Sequence, residues 1–404
     1  MVATPETRVE AEVGHDSRWF RALLGLLGGV PTVGLAVPLS TALCLPLIPV
    51  MPITPLPGSV KRAIVLAVLG VTAMMASAVV HGSSLNLGSI GAFLVIALGV
   101  LGIAKSTDST AKTAQVLAWL CAATIVYWLI VGVREPTFAA QWKYGGAFPV
   151  TALVVYLVAA RRGRTRLAIL LLVGFAVLSL ALGSRGFGVV CLTAAIAQYA
   201  HGRYRGSVRD HAKVLAAAAL AAGVALGLPT LMEQGHLGRD LQERALQQTE
   251  GGAPLLLGGR TEPPLSLIAV AENPIAGWGH PNRLDLPTIA AGKQLATDLG
   301  ITTYMPFWMD NGQITLHSVL FEAWVSGGVL AAALPLFLIG LFALAVLRGR
   351  GRFYPLVALV SVYGIWDVLF SPWAGNRSMR LAVSTVLAAW ALVEERRTTQ
   401  TPPD

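Results

Sequence analysis

Runs of apolar residues alternate with short polar connectors along almost the whole chain, and the length of each run is the most informative quantity. A helix needs roughly 17 to 25 predominantly apolar residues to cross the hydrocarbon core of a bilayer. Candidate spans fall at about 19–37, 38–55, 62–80, 88–104, 114–133 and 147–160, then at 166–182, 186–200, 212–231, 316–347, 354–371 and 379–393. That predicts twelve helices. The first two carry Pro31, Pro38, Pro46, Pro49 and Pro52, which kink or break a helix, and the sixth and eighth are short.

Composition leads to the same class. Of the 404 residues, 55% are hydrophobic and only 13% charged, with a mean hydropathy of +0.66. A water-soluble domain of this size has no such balance. The net charge of +9 raises the question of nucleic acid, but the basic residues cluster in connectors between apolar runs, as orienting charges do. No nucleic-acid partner is expected. Cys44, Cys121 and Cys191 each lie within an apolar run, with no metal-site or disulfide spacing. The first eighteen residues are polar and acidic, without a basic segment leading to a small-residue cleavage site, so no removed signal peptide is expected.

Basic connectors also orient the bundle. With a cytoplasmic N-terminus, Lys61-Arg62, Arg161 to Arg164, Arg203 to Lys213, Arg348 to Arg352 and Arg396-Arg397 all fall on the inside. Residues 232–315 then lie outside, with five Lys/Arg against nine Asp/Glu. The fold class expected is an all-α polytopic membrane protein with about twelve transmembrane helices and one large extracytoplasmic loop. Residues 1–18 and 394–404 form cytoplasmic tails in this scheme. Residues 19–231 hold nine helices, 232–315 the loop domain, and 316–393 the last three helices.

The loop is too long for a simple connection and too apolar for a disordered tail. Gly258 to Pro264 reads as a turn into a helix, with Thr261 able to cap and Glu262, Pro263 and Pro264 suited to a first turn. That helix should run to about Glu272 and end at Asn273-Pro274. Gly277-Trp278-Gly279-His280-Pro281 follows as a tight turn. The aromatic run Tyr304 to Met309 is expected to dip into the interface near the point of re-entry.

Three polar groups then share one membrane side near helix ends. Arg185 is the one charge in the apolar stretch from Arg166 to Tyr199, Arg260 precedes the loop helix, and His317 opens the tenth span. An ionisable group at such a position is either a snorkelling anchor or part of a site with an aqueous or anionic partner. Arginine forks and helix N-termini bind phosphate, and a histidine can take a proton from an attacking hydroxyl. The combination suits transfer from a lipid-diphosphate donor without a metal or other cofactor. His280 and Arg283 are candidate contacts to glycan or phosphate. Glu322, five residues after His317 and so off its face, reads better as a buried hydrogen-bond partner than as a catalytic group. Asp367 is expected to pair with Arg377 or Arg380. Trp278, Trp308 and Trp324 either stack on sugars or anchor at the interface, anchoring being commoner. His81, His201, His211 and His236 read as loop or interface residues.

Ser184-Arg185-Gly186, then Gly259-Arg260 followed by Asn273-Pro274-Ile275-Ala276-Gly277-Trp278-Gly279, then His317-Ser318 leading into Glu322-Ala323-Trp324-Val325-Ser326-Gly327-Gly328, occur in an order that resembles the O-antigen ligase and polymerase superfamily. The motifs cover mainly residues 180–330; the first 160 residues add only topology. The resemblance implies a C-type integral-membrane glycosyltransferase of the cytoplasmic membrane, acting on its extracytoplasmic face. It would move a glycan from undecaprenyl diphosphate to an acceptor hydroxyl on a carbohydrate or glycolipid. By position, Arg185 and Arg260 would hold the donor diphosphate and His317 would activate the acceptor for inverting attack. Ser318 stands where many relatives have Asn, and Pro263-Pro264 where many have an aromatic; both departures bear on the acceptor more than on the chemistry.

Other readings predict different features. A glycosyltransferase using a carboxylate base in its first outer loop would need an acid near Val37-Pro38, where none stands. A transporter or flippase of lipid-linked glycan would show two repeat-related halves with broken helices at the midplane, whereas the polar groups here gather at one face. Ligase and polymerase share donor chemistry and stay unresolved, and a binding scaffold without activity remains a third reading.

Overall fold

The computed structural model describes residues 18–30, 55–132, 137–161, 165–203, 262–301, 313–373 and 376–400, with 309–310 and isolated positions between 230 and 246. In chain order the helices are α1 (Arg18–Gly29), α2 (Gly58–Val80), α3 (Leu87–Ser106), α4 (Thr110–Val131), α5 (Phe138–Ala160), α6 (Thr165–Ala181) and α7 (Arg185–Arg203). Two loop helices follow, α8 (Pro263–Glu272) and α9 (Leu286–Asp298), then α10 (Val319–Arg348), α11 (Tyr354–Phe370) and α12 (Arg377–Gln400). A small antiparallel hairpin, β1 (Met309–Asp310) and β2 (Gln313–Ile314), pairs Met309 with Ile314.

Among the described residues, α2, α3, α4, α5 and α10 are long and apolar enough to cross a membrane. Large apolar side chains stand exposed along the bundle, among them Val79, Val80, Leu129, Ile130 and Leu170. Such a surface is stable against lipid and unstable against water. The chain is therefore an all-α, membrane-embedded bundle.

The interior is built by close helix pairs. α10 lies along α2 and α11, α12 packs on α3 and α4, and α6 pairs with α7. Phe93, Ile96, Ile103, Leu117, Leu172 and Phe342 are fully buried between them. α1 rests on α4 through small residues four apart: a Cβ on Gly25 or Gly29 would stand 2.5 Å or 2.4 Å from the carbonyl of Val116 or Leu120. This is the close backbone approach that small residues permit between membrane helices.

Several boundaries differ from the sequence expectation. The spans expected at 38–55 and 212–231 lie almost wholly outside the described residues. α5 begins at Phe138 rather than near 147, because a π-helical turn at Trp142–Gly146 carries the helix backward into what had read as a connector. α12 continues to Gln400, seven residues beyond its expected end and into the expected tail. α9 was not anticipated. Its signal is Asp285, whose side chain accepts from the amide of Thr288 at 2.8 Å, with a proline in the first turn.

Candidate functional site

Arg185 owes its position to a two-residue turn. Gly183 takes a left-handed φ of +73°, its amide donates to Leu180 O at 3.0 Å, and the Ser184 amide donates to Ser179 O at 2.7 Å. This pair of bonds closes α6 as a Schellman cap, for which glycine is the favoured residue. Ser184 O accepts from Gly188 N at 3.0 Å, so α7 starts at once with Arg185 in its first turn. The next residue, Gly186, lies so close to the Trp366 ring of α11 that a Cβ would come within 2.3 Å of it. Arg185 is thereby held half-buried beside the last turns of α11.

His317 approaches the same turns from the loop. Ser318 caps α10, its hydroxyl accepting from Phe321 N at 3.3 Å and donating to Val368 O at 3.3 Å. Val319 N donates to Ser371 O at 2.9 Å, which fastens the start of α10 to the end of α11. The neighbours of both residues, Gly186 beside Arg185 and Ser318 beside His317, thus lie against the C-terminal half of α11. Arg260, the third member of the expected constellation, lies outside the described residues.

Glu262 completes what the structure places at His317. It occupies the N-cap of α8 but makes no side-chain cap bond, with prolines in the first turn of the helix. Its carboxylate instead reaches His317, with Oε1 2.8 Å from Nδ1. The Glu262 side chain is 10% exposed and that of His317 40% exposed. The oxygen lies off the straight N–H direction, so the contact is a close approach rather than a linear hydrogen bond, and it becomes an ion pair when the imidazole is protonated. Alignments of this kind commonly tighten once substrate is bound. Sequence reasoning gave Glu262 a helix-end role and missed this one; Thr261, read as the cap, lies outside the described residues.

The loop is stitched to the bundle by the two Gly-bearing motifs. α10 breaks at Gly327 (φ −146°, ψ 18°) and Gly328 (φ 66°, ψ −161°), the latter a conformation open essentially to glycine alone. In an unbroken helix the Val325 carbonyl would serve residue 329; here it accepts the Trp278 amide at 2.6 Å. A Cβ on Gly328 would stand 1.8 Å from Ile275 O, and one on Gly277 2.5 Å from Gly328 N. Trp324 Nε1 donates to Pro274 O and Trp278 Nε1 to Ala269 O, both at 2.8 Å. Both indoles thus hold the loop together. Trp308 lies outside the described residues.

The remaining candidates are placed around this seam. Glu322 accepts from Ser89 Oγ at 2.7 Å and from Asn86 Nδ2 at 3.4 Å, while Asn86 also donates to Ser326 Oγ at 3.0 Å. The network ties α10 to the start of α3. Arg283 donates to Gly82 O at 2.5 Å, so it rests on the connection between α2 and α3. His280 Nδ1 accepts from Asn282 N at 3.1 Å, and burial pushes its imidazole below the ordinary histidine range. His81 does more than the interface role expected of it: Nδ1 donates to Ser77 O at 2.9 Å and Nε2 faces Asn273 Nδ2 at 3.4 Å. His201 stacks on Tyr354 with centroids 4.0 Å apart. His211 and His236 lie outside the described residues.

Asp367 engages both expected partners. Arg380 donates to its Oδ2 at 2.6 Å and Arg377 Nε lies 3.4 Å from Oδ1, with the carboxylate only 1% exposed. No family model, curated protein or solved structure matches the chain.

Proposed function

We propose that this chain is a membrane glycosyltransferase that moves a glycan from a lipid diphosphate donor to an acceptor hydroxyl, in the manner its motifs suggest. The observation that carries this reading is the Glu262–His317 pair beside the end of α11, the helix against which the residue after Arg185 also packs. Once aligned with Nδ1–H, that carboxylate would select the tautomer that leaves Nε2 with its lone pair and would stabilise the imidazolium formed on protonation.

In this scheme His317 Nε2 removes the proton of the acceptor hydroxyl as its oxygen attacks the anomeric carbon. The new C–O bond forms from the face opposite the leaving group, so the anomeric configuration inverts. The bond from the anomeric carbon to the diphosphate oxygen breaks, and its electron pair leaves with the lipid diphosphate. Arg185 and Arg260 would neutralise the charge that develops on that leaving group. With glycan entering from the outer leaflet, the site would face the extracytoplasmic side of the cytoplasmic membrane.

The test uses purified chain with undecaprenyl-diphosphate-linked oligosaccharide. Long glycan chains without added acceptor indicate a polymerase; transfer only when a separate acceptor is supplied indicates a ligase. Arg185→Ala, Arg260→Ala and His317→Ala should each reduce transfer by about 10²-fold or more while the protein still inserts. Undiminished product from His317→Ala removes the proposed base.

A further inference from the structure

A cavity of about 320 Å³ lies between α4, α5, α7, α11 and α12, outside the residues assigned above to transfer. Its charged and polar lining includes Lys143, Asn376, Arg377 and Arg380, and its apolar walls include Trp128 and Phe148. We propose that this cavity holds the phosphate of an anionic membrane lipid, with the hydrocarbon chain lying against the aromatic wall.

The charge balance favours an anion. Three cations meet at the cavity, and the carboxylate that contacts the two arginines, Asp367, is already shared between them. The Arg380 guanidinium is fixed over the rings of Phe148 and Tyr363, at 4.9 Å and 4.8 Å from their centroids. Arg380 Nε is buried without a hydrogen-bond partner, while Arg377 faces Asp367 Oδ1 through Nε at 3.4 Å and donates to Pro372 O. A buried donor such as Arg380 Nε is costly unless something supplies an acceptor.

The remaining polar groups point the same way. Asn376 spends its Nδ2 on Thr124 Oγ1 at 2.9 Å and Gly29 O at 3.2 Å, so it is fixed as scaffold. α12 begins at Arg377, which turns the positive end of a 24-residue helix toward the lining cations. A neutral sugar needs acceptors for its hydroxyl protons, whereas these cationic groups are donors only. A phosphate monoester or diester supplies acceptor oxygens alone, and a lipid chain suits a cavity set among membrane helices.

The experiment is native mass spectrometry of the full chain purified in neutral detergent. It is offered undecaprenyl phosphate, phosphatidylglycerol, phosphatidylcholine and inorganic phosphate in separate arms. Retention of either anionic lipid over phosphatidylcholine is expected, weakened about five- to tenfold for each cation removed by Lys143→Gln or Arg377→Gln. Lys143→Glu alters only an exposed side chain and serves as the variant expected to fold regardless. Arg185→Ala, at the proposed donor site, should lower retention of undecaprenyl phosphate only in part and leave that of phosphatidylglycerol unchanged. Equal retention of phosphatidylcholine, binding of inorganic phosphate as strong as that of the lipids, or no effect of Lys143→Glu would each overturn the proposal. So would loss of all lipid retention in Arg185→Ala, since the cavity would then belong to the donor site.

Discussion

Glu262 and His317 are 55 positions apart in sequence, yet the carboxylate of one lies 2.8 Å from Nδ1 of the other. The acid comes from the head of the first loop helix and the imidazole from the threshold of α10, so the pair exists only when loop and bundle are docked. Under the proposed function, Glu262→Gln should therefore lower the rate of glycan transfer by up to about 10⁴-fold, the loss seen when the carboxylate that orients a catalytic histidine is neutralised. His317→Ala should cost about 10²- to 10⁴-fold. The double variant should be no slower than His317→Ala alone, measured as initial rates on one donor; additive losses would show that Glu262 acts elsewhere.

Gly328 sits where any side chain would meet the Ile275 carbonyl. Gly328→Ala adds an unfavourable left-handed backbone to that collision, together costing on the order of 1–3 kcal/mol or more. The expected result is a lower thermal midpoint in detergent and faster proteolysis within 273–279. Wild-type protease resistance in this variant would mean that the loop does not depend on the break in α10.

Asp367 lies between two arginines whose side chains are 19% and 13% exposed. Asp367→Ala leaves both cations without their carboxylate, at a cost of about 3–5 kcal/mol, and should reduce the yield of folded protein on extraction. Replacing Asp367, Arg377 and Arg380 together by Leu, Met and Met should restore much of it, because a fully apolar replacement removes the uncompensated charge. Size-exclusion profiles of the two variants decide the matter.

Glu322 separates a structural carboxylate from a catalytic one. Glu322→Gln keeps an acceptor for Ser89 and Asn86, so its transfer rate should stay within about threefold of wild type. Glu322→Ala orphans those donors and should cost about 1–3 kcal/mol of stability. A steep loss of rate in Glu322→Gln, without loss of stability, would give the carboxylate a chemical role.

His280 makes the loop sensitive to acid. Its pKa is depressed by burial, so the folded loop binds this proton less readily than the unfolded chain. The associated stability is present above the unfolded histidine value and is lost as pH falls through the lower, folded one. Amides of Asn282 to Leu284 should be less protected at about pH 5 than at about pH 8, once exchange is corrected for its intrinsic base-catalysed rate, and His280→Asn should flatten that dependence. No difference in His280→Asn would trace the effect to another group.

Much of this architecture was legible because its signals are local. Pro263-Pro264 and Asn273-Pro274 bracket α8, and opposite charges at Asp367, Arg377 and Arg380 in adjoining apolar segments indicate their own pairing. Apolar length marked α2, α3 and α4 closely. What escaped was long-range or conformational. An acid at a helix start has a sufficient local explanation in the helix dipole, which concealed the tie from Glu262 to His317. Gly327-Gly328 was recognised as a motif, but nothing in a 30-residue apolar run indicates that the helix breaks there. The π turn in α5 likewise rests on packing, with Gly145 lying against the Trp128 ring where a Cβ would come within 2.4 Å.

The break in α10 also decides what His317 is measured against. A long membrane helix tilts to match the thickness of the lipid around it, and whatever is rigidly attached to its end swings with it. Below Gly327 α10 answers to the bilayer. On the other side, before Gly327 in sequence, the short segment from Val319 to Ser326 is bonded to Trp278 and Pro274 of the loop, to Ser371 after α11 and to Asn86 and Ser89 at the start of α3. The histidine is held jointly by the loop, by the end of α11 and by the start of α3, so the glycine break gives the shaft of α10 a joint at which tilt can be taken up before it reaches the imidazole.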